Sequence, residues 1–214
     1  SAYPAYSAYL AYSAYPAYSC LPRLPSKHKT MNNNNLNTPE PQARYLFPAD
    51  YMADPSAHVF NGRVYIYPSH VWDSGAAFDD DGGHFQMKDY HVLSLDDVMH
   101  GDVTDHGVIL RVEDVPWAEK QLWDNDVVEK DGRYYLLYSG KDYNGVFRLG
   151  IAIADRPEGP FIPQPDPIRG SYSIDPCLFK DDDGTVYAFF GGIWGGQLQW
   201  YDNNKMLKDE HLPE

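Results

Sequence analysis

A hairpin pattern that recurs three times constrains the fold of this chain more than any other feature. Each copy places an aspartate before a short apolar run, turns at Asn-Gly or Asp-Gly, and continues into a tyrosine-rich run. The leading residues of the copies are Asp54, Asp126 and Asp175. Asn-Gly or Asp-Gly between apolar runs is a strong hairpin signal, because a tight hairpin turn needs residues that tolerate a positive φ. The chain is therefore predicted to be all-β.

The spacing of the copies predicts how the hairpins are arranged. The leading aspartates are 72 and then 49 residues apart, and further strand-like runs lie between the hairpins, at 90–95, 106–112 and 147–154. A unit of about 50 residues with four strands is typical of a β-propeller blade, which covers its apolar faces only by stacking on its neighbours. About three such units fit into 45–214, whereas a closed propeller has about four to eight. We therefore expect the chain to be incomplete.

The first 44 residues have a different character. They begin with repeated Ala-Tyr-X triplets, continue through a proline-broken segment, and include the asparagine run 32–35. Low-complexity composition of this kind predicts disorder, and the domain is predicted to cover 45–214. The segment has neither the basic region nor the continuous apolar region of a signal peptide, which favours a cytoplasmic location.

Charge and hydropathy exclude several classes of protein. The chain has 17 Lys and Arg against 31 Asp and Glu, for a net charge of -14, which disfavours a nucleic-acid-binding protein. No stretch approaches the roughly 20 apolar residues that span a bilayer, so we expect no membrane partner. The two cysteines, Cys20 and Cys177, cannot form a disulfide framework. The oligomeric state stays open, with a homo-oligomer among the options.

The repeated aspartates suggest a site on the propeller axis. If each one heads the innermost strand of its blade, three carboxylates meet in the central channel, where acid and base chemistry is available. The alternative is that each aspartate serves local backbone amides, as is common before strands and turns. Three copies in register, two of them in Asp-Pro, favour the site.

These motifs also resemble those of a known enzyme family. MADPSAHVF at 52–60, QLWDNDVV at 121–128 and SIDPCLFKDDDG at 173–184, taken in this order, are similar to glycoside hydrolase family 43. The resemblance implies a five-bladed β-propeller that removes terminal xylose or arabinose from hemicellulose-derived oligosaccharides by an inverting mechanism. Asp54 matches the general base, and Asp175 matches the aspartate that orients the general acid and raises its pKa.

The family's general acid has no match in this sequence. It is a glutamate in a Glu-Gly-Pro type motif that follows the third hairpin. Glu158 lies in Arg-Pro-Glu-Gly-Pro but precedes Asp175, and is interpreted as part of a turn between blades. Glu210 and Glu214 lack the Gly-Pro that would follow the acid. The acid is therefore expected outside the chain, which predicts that residues 1–214 alone are inactive.

The resemblance also implies residues for sugar binding. Trp123 and Trp194 are candidates for stacking on a sugar ring, with packing between blades as the alternative. His70 falls where the family lines its sugar site, although a lone histidine is more often structural. Asp126 either holds a loop or touches the substrate. The motif at 123–126 is Trp-Asp-Asn-Asp, where the family usually has Trp-Ala-Pro-Asp, which puts extra polarity beside the predicted pocket.

No cofactor is required by this interpretation, and no metal ligand is assigned. The acidic runs 79–81 and 181–183 leave room for Ca²⁺, although neither has the spacing of an EF-hand, and the second is more simply a hairpin turn. No Cys/His spacing typical of Zn²⁺ is present. Two other functions stay open: a non-catalytic carbohydrate-binding propeller, and the sucrose- and fructan-cleaving five-bladed relatives. The second is disfavoured, because those enzymes carry Arg-Asp-Pro where this chain has Ile-Asp-Pro.

Overall fold

The computed structural model describes residues 45–47, 49–78 and 82–191, and the backbone of 201–202 and 206–207. Over these residues the regular structure is strand, apart from one 3-10 turn at Val112–Asp114. The described part contains no helix with the length and apolar character needed to cross a bilayer. The predicted all-β class is confirmed, while the prediction for residues 1–44 lies outside the described residues.

The first blade is a four-stranded antiparallel sheet in which neighbours in sequence are neighbours in space. Its strands are β1 (Met52–Phe60), β2 (Arg63–Trp72), β3 (Gln86–Leu95) and β4 (Thr104–Arg111).

The second blade repeats this arrangement and carries one additional short strand on the end of its second long strand. Its strands are β5 (Ala118–Lys120), β6 (Asn125–Lys130), β7 (Arg133–Asp142), β8 (Phe147–Ala154) and β9 (Ile162–Pro163).

The third unit begins with the hairpin of β10 (Ile174–Lys180) and β11 (Val186–Gly191). A further short pair follows, β12 (Tyr201–Asp202) with β13 (Met206–Leu207). The leading strands of the three units lie side by side, because β6 contacts both β1 and β10. Two full blades and the first hairpin of a third therefore surround one side of a common axis, as the repeat predicted.

The hairpin turns of the first two units are tight turns with positive φ values, as their Asn-Gly and Asp-Gly pairs predicted. Asn61 and Gly62 have φ of 52° and 79°, and Asp131 and Gly132 have 53° and 75°, so both residues of each tight turn are left-handed. The third turn is a longer loop over residues 181–185, in which only Gly184 has a positive φ, 83°.

The core lies between the first and second blades and is rich in buried tyrosine. Tyr67 is fully buried and its hydroxyl donates to the carbonyl of Pro157 at 2.8 Å, which ties the first blade to a turn of the second. Tyr138 stacks on Trp117 with ring centroids 5.9 Å apart. Gly150 makes room for both rings, since a Cβ built there would lie 2.5 Å from Tyr138 and 2.6 Å from Trp117.

Candidate active site

Two aspartates stand on matching irregularities of the first and third units. Asp54 and Asp175 have φ of 47° and 53°, a conformation uncommon for residues other than glycine. Each belongs to an Asp-Pro pair that interrupts the register of its strand with the next one. Proline has no N–H to give to a ladder, so the strand bulges at this dipeptide and turns the aspartate out of the sheet. Strained residues of this kind concentrate at functional sites.

A third carboxylate reaches the same place from the second unit. Asp124 precedes β6, and its backbone carbonyl accepts hydrogen bonds from the backbone N–H of Ser139 at 3.2 Å and from its hydroxyl at 3.0 Å. The preceding carbonyl, of Trp123, accepts from the hydroxyls of Tyr90 at 2.6 Å and Ser69 at 2.9 Å. With its backbone held on both sides, Asp124 directs its side chain into a hydrogen bond with the carboxyl of Asp175.

The grouping perturbs the protonation of two carboxyls. Loss of hydration, the hydrogen bond with Asp124, and the charges of Asp124 and Asp54 together raise the pKa of Asp175 to about 8. Loss of hydration and, second, the charge of Asp124 raise the pKa of Asp54 above its usual value. Both side chains are still open to water in the described residues, so solvent screens part of the repulsion. Because a hydrogen bond between two carboxyls needs a proton, and the pKa of Asp175 is raised to about 8, Asp175 retains its proton near neutral pH.

Asp126 does not belong to this group, so the sequence-based choice of the second axial carboxylate was wrong. Its side chain is buried within β6, where one oxygen lies 2.5 Å from Nε2 of His58 and accepts from the backbone N–H of Val127. The other oxygen accepts from the backbone N–H of Leu178 at 2.6 Å. Asp126 therefore joins the leading strands of all three units, and its contact with substrate stays a prediction.

The predicted sugar-binding residues lie in different surroundings. Trp123 adjoins Asp124, donates its indole N–H to the carbonyl of Phe85 at 3.1 Å, and packs 4.4 Å from the ring of Phe147. The indole ring of Trp123 is half-buried. Its role in sugar binding stays a prediction. Trp194 lies outside the described residues. His70 is buried, and both its ring nitrogens lie next to carboxylates.

The acidic runs behave as the turn interpretation predicted where they are described. In 181–183, carboxylate oxygens of Asp181 and Asp183 accept from the backbone N–H groups of Asp182 and Thr185. The run at 79–81 lies outside the described residues. Sequence reasoning did not assign Asp124 a role, although the replacement of the family's usual Trp-Ala-Pro-Asp by Trp-Asp-Asn-Asp was the available signal.

Comparison with known proteins identifies relatives of this chain. The sequence profile described as "Glycosyl hydrolases family 43" matches residues 53–211. A β-xylosidase of Xylanibacter ruminicola is 72% identical over 174 residues, covering 81% of this chain and 54% of the relative. A xylosidase/arabinosidase of Bacteroides ovatus is 61% identical over 173 residues, covering 81% of this chain and 53% of the relative. The chain thus spans about half the length of these curated relatives.

Solved structures extend the comparison to the fold. The structure of RS223-beta-xylosidase is 64% identical and has a TM-score of 0.73, covering 80% of this chain and 53% of that one. A β-xylosidase/α-arabinofuranosidase from a compost microbial metagenome is 54% identical, with a TM-score of 0.71 over 78% of this chain and 50% of that one. The latter is described as a complex with xylotriose in a calcium-free form. These neighbours are five-bladed β-propellers, of which this chain covers about half, and the predicted architecture is confirmed. The chain belongs to glycosyl hydrolase family 43.

Proposed function

We propose that this chain supplies the base-bearing half of an inverting glycoside hydrolase that removes terminal xylose or arabinose from hemicellulose-derived oligosaccharides. The observation that carries the proposal is the meeting of Asp54, Asp124 and Asp175 at the leading strands, with raised pKa values for Asp54 and Asp175. Carboxyls in different protonation states at one site are what glycoside hydrolysis requires.

In the proposed reaction Asp54 acts as the general base. Its carboxylate takes a proton from a water molecule whose oxygen forms a bond to the anomeric carbon, while the bond from that carbon to the leaving oxygen breaks. The leaving oxygen receives a proton from a general acid, a glutamate that we place outside residues 1–214. In inverting enzymes the base and the acid stand about 6.5 to 9.5 Å apart, which leaves space for the water.

Asp175 has a different role in this proposal. With its pKa raised to about 8, its carboxyl retains a proton under conditions in which an ordinary aspartate is ionised. A protonated Asp175 can donate a hydrogen bond and orient a neighbouring carboxyl, and once ionised it would raise the pKa of that neighbour. Both effects suit a residue that sets the protonation of the general acid.

The substrate class rests on the relatives and on one side chain. Two relatives that cover more than four fifths of this chain are named β-xylosidase and xylosidase/arabinosidase. Trp123 directly precedes Asp124 in the sequence. An aromatic ring at this position offers a flat apolar surface to the apolar face of a pentose.

The test uses the protein at its natural full length, with Asp54→Asn as the variant. This change removes the basic carboxylate while conserving size, so hydrolysis of xylobiose and of arabinofuranosides should fall by about 100-fold or more, the usual contribution of a general base. Affinity for xylose, measured by calorimetry, should be retained. A matched change at an exposed aspartate, Asp102→Asn, should leave both unchanged. Full activity of Asp54→Asn would reject Asp54 as the base.

The same experiment addresses a non-catalytic sugar-binding propeller. Hydrogen bonds to sugar hydroxyls do not need a carboxyl whose pKa is raised to about 8, so the electrostatics favour the hydrolase. Sugar binding by the parent protein with no turnover of any pentoside would support the binding function instead.

A further inference from the structure

A second cluster of ionisable side chains lies in the first blade, apart from the three aspartates. His70 on β2 faces Asp89 and His91 on β3, and one ligand atom from each lies within 4.8 Å of the others. The two histidines converge on one oxygen of Asp89: Nδ1 of His70 is 3.0 Å from it, and Nε2 of His91 is 3.6 Å from it. Asp89 is 2% exposed, so this meeting point is shielded from bulk water.

The outer nitrogen of each histidine is also engaged by a carboxylate. Nε2 of His70 lies 3.1 Å from Asp50, and Nδ1 of His91 lies 3.3 Å from Asp105. A neutral imidazole carries a single N–H. If that N–H donates outward to the carboxylate, the inner nitrogen presents its lone pair to the oxygen of Asp89. Carboxylates that fix the outer nitrogen in this way are characteristic of histidines that ligate metals.

The charges around the cluster favour a cation at its centre. The three carboxylates carry three negative charges, and Arg111, whose Nη1 lies 3.9 Å from Asp89, supplies one positive charge. Two lone pairs and a buried carboxylate aimed at one another repel unless positive charge lies between them. Either a divalent metal ion or a proton on each histidine would meet this need, and the second is the metal-free alternative.

We propose that Nδ1 of His70, Nε2 of His91 and the carboxylate of Asp89 bind one divalent transition-metal ion of the Zn²⁺ type. Two imidazoles with one carboxylate suit zinc and its neighbours, whereas calcium and magnesium prefer oxygen ligands alone. Three protein ligands leave a fourth tetrahedral position for solvent. The bound ion joins β2 to β3, and through Asp50 it also fixes the segment that enters the first blade. This inference is independent of the proposed hydrolase activity.

The pattern behind the site is short and easily missed. Asp89 and His91 are two residues apart on one strand, so they share a face of the sheet. His70 is the cross-strand partner of Asp89. The sequence separation of 19 residues between His70 and Asp89 matches none of the usual zinc spacings, so the sequence alone does not predict this cluster.

The test measures Co²⁺ binding by the full-length protein after chelator treatment. Cobalt in a tetrahedral site with nitrogen and oxygen ligands gives visible absorption bands, and Zn²⁺ should displace it. We expect one equivalent of Co²⁺ per chain and loss of the bands in His91→Gln. Asp105→Asn, which alters only the carboxylate behind His91, should weaken binding by about 10- to 100-fold. His100→Gln, at an exposed histidine outside the cluster, should bind as the parent does.

Circular dichroism establishes that each variant is folded before its titration is interpreted. Failure of the folded parent to bind stoichiometric Co²⁺ would overturn the proposal in favour of protonated histidines. Undiminished binding by folded His91→Gln would overturn it as well. If His91→Gln does not fold, Asp105→Asn decides, since its side chain is partly exposed and its effect on affinity is read in a folded protein.

Discussion

Replacing Asp124 by Asn should lower the pKa of Asp175, and the size of the change follows from the contact between them. The two carboxyls share a hydrogen bond, so their charges are about 4 Å apart when both are ionised. At that distance two like charges repel by about 1 kcal/mol in water and by about 4 kcal/mol at the effective dielectric constant of a protein surface. One pKa unit corresponds to about 1.36 kcal/mol, so the contribution of Asp124 lies between about 0.7 and 3 units.

Because Asp175 is exposed, we expect the change in its pKa to lie toward the lower end of that range. Its side chain is open to water in the described residues, which screens the repulsion, so we expect Asp124→Asn to lower the pKa by about 1 unit. The new amide can also donate a hydrogen bond to ionised Asp175, which acts in the same direction.

Carbon-13 NMR of aspartate carboxyls in the full-length protein would measure this change directly. Asp175→Asn assigns the resonance, and Asp102→Asn controls for the loss of an exposed aspartate elsewhere. A midpoint for Asp175 that stays the same or rises in Asp124→Asn would refute the argument that Asp124 raises it. Because the readout is a titration, it holds whether or not the protein hydrolyses pentosides.

Other changes test the remaining contacts. Asp126→Ala should lower the free energy of unfolding by about 3 kcal/mol or more, because it leaves His58, the buried N–H of Val127 and the half-buried N–H of Leu178 without their acceptor; a loss under 1 kcal/mol in chemical denaturation would contradict this. Gly150→Ala should cost about 1 to 3 kcal/mol through overlap with Tyr138 and Trp117, whereas Gly191→Ala, with no atom within 4 Å of the added Cβ, should be nearly neutral. The pKa of Asp175 is raised from 3.8 to about 8, so the native protein binds this proton more tightly than the unfolded chain does. The stability that the bound proton contributes is therefore lost as the pH rises from 3.8 to about 8. Asp175→Asn should therefore raise Tm relative to the parent at pH 9 but not at pH 3, and equal Tm differences at both values would show that the native pKa is not raised.

Much of the fold was predictable because local signals and long-range packing agree. FRLGIAIA at 147–154 coincides with β8, and the Asn61-Gly62 and Asp131-Gly132 turns have the positive φ values that their residue types predict. The third turn was predicted less well. Its acidic run can satisfy backbone N–H groups at several positions, and it formed a five-residue loop in place of a two-residue turn.

The site was predictable only where a backbone irregularity accompanied the residue type. Asp54 and Asp175 stand in Asp-Pro, whose proline forces a bulge at a recognisable place. In the second unit no proline marks the position, and two aspartates lie two residues apart. Which of them reaches the axis depends on where β6 begins and on the partners of Asp126 in the neighbouring units, and neither is visible in local sequence.

The buried position of Asp126 has a consequence for how such a ring of blades is assembled. A single side chain that takes hydrogen bonds from β1, β6 and β10 is satisfied only when all three strands are in place. In an intermediate in which the third hairpin has not docked, one oxygen of Asp126 lacks the hydrogen bond from the backbone N–H of Leu178. Docking of the third unit completes the hydrogen bonds of a side chain that the first two units already share, so the association of the three units is cooperative through one carboxylate.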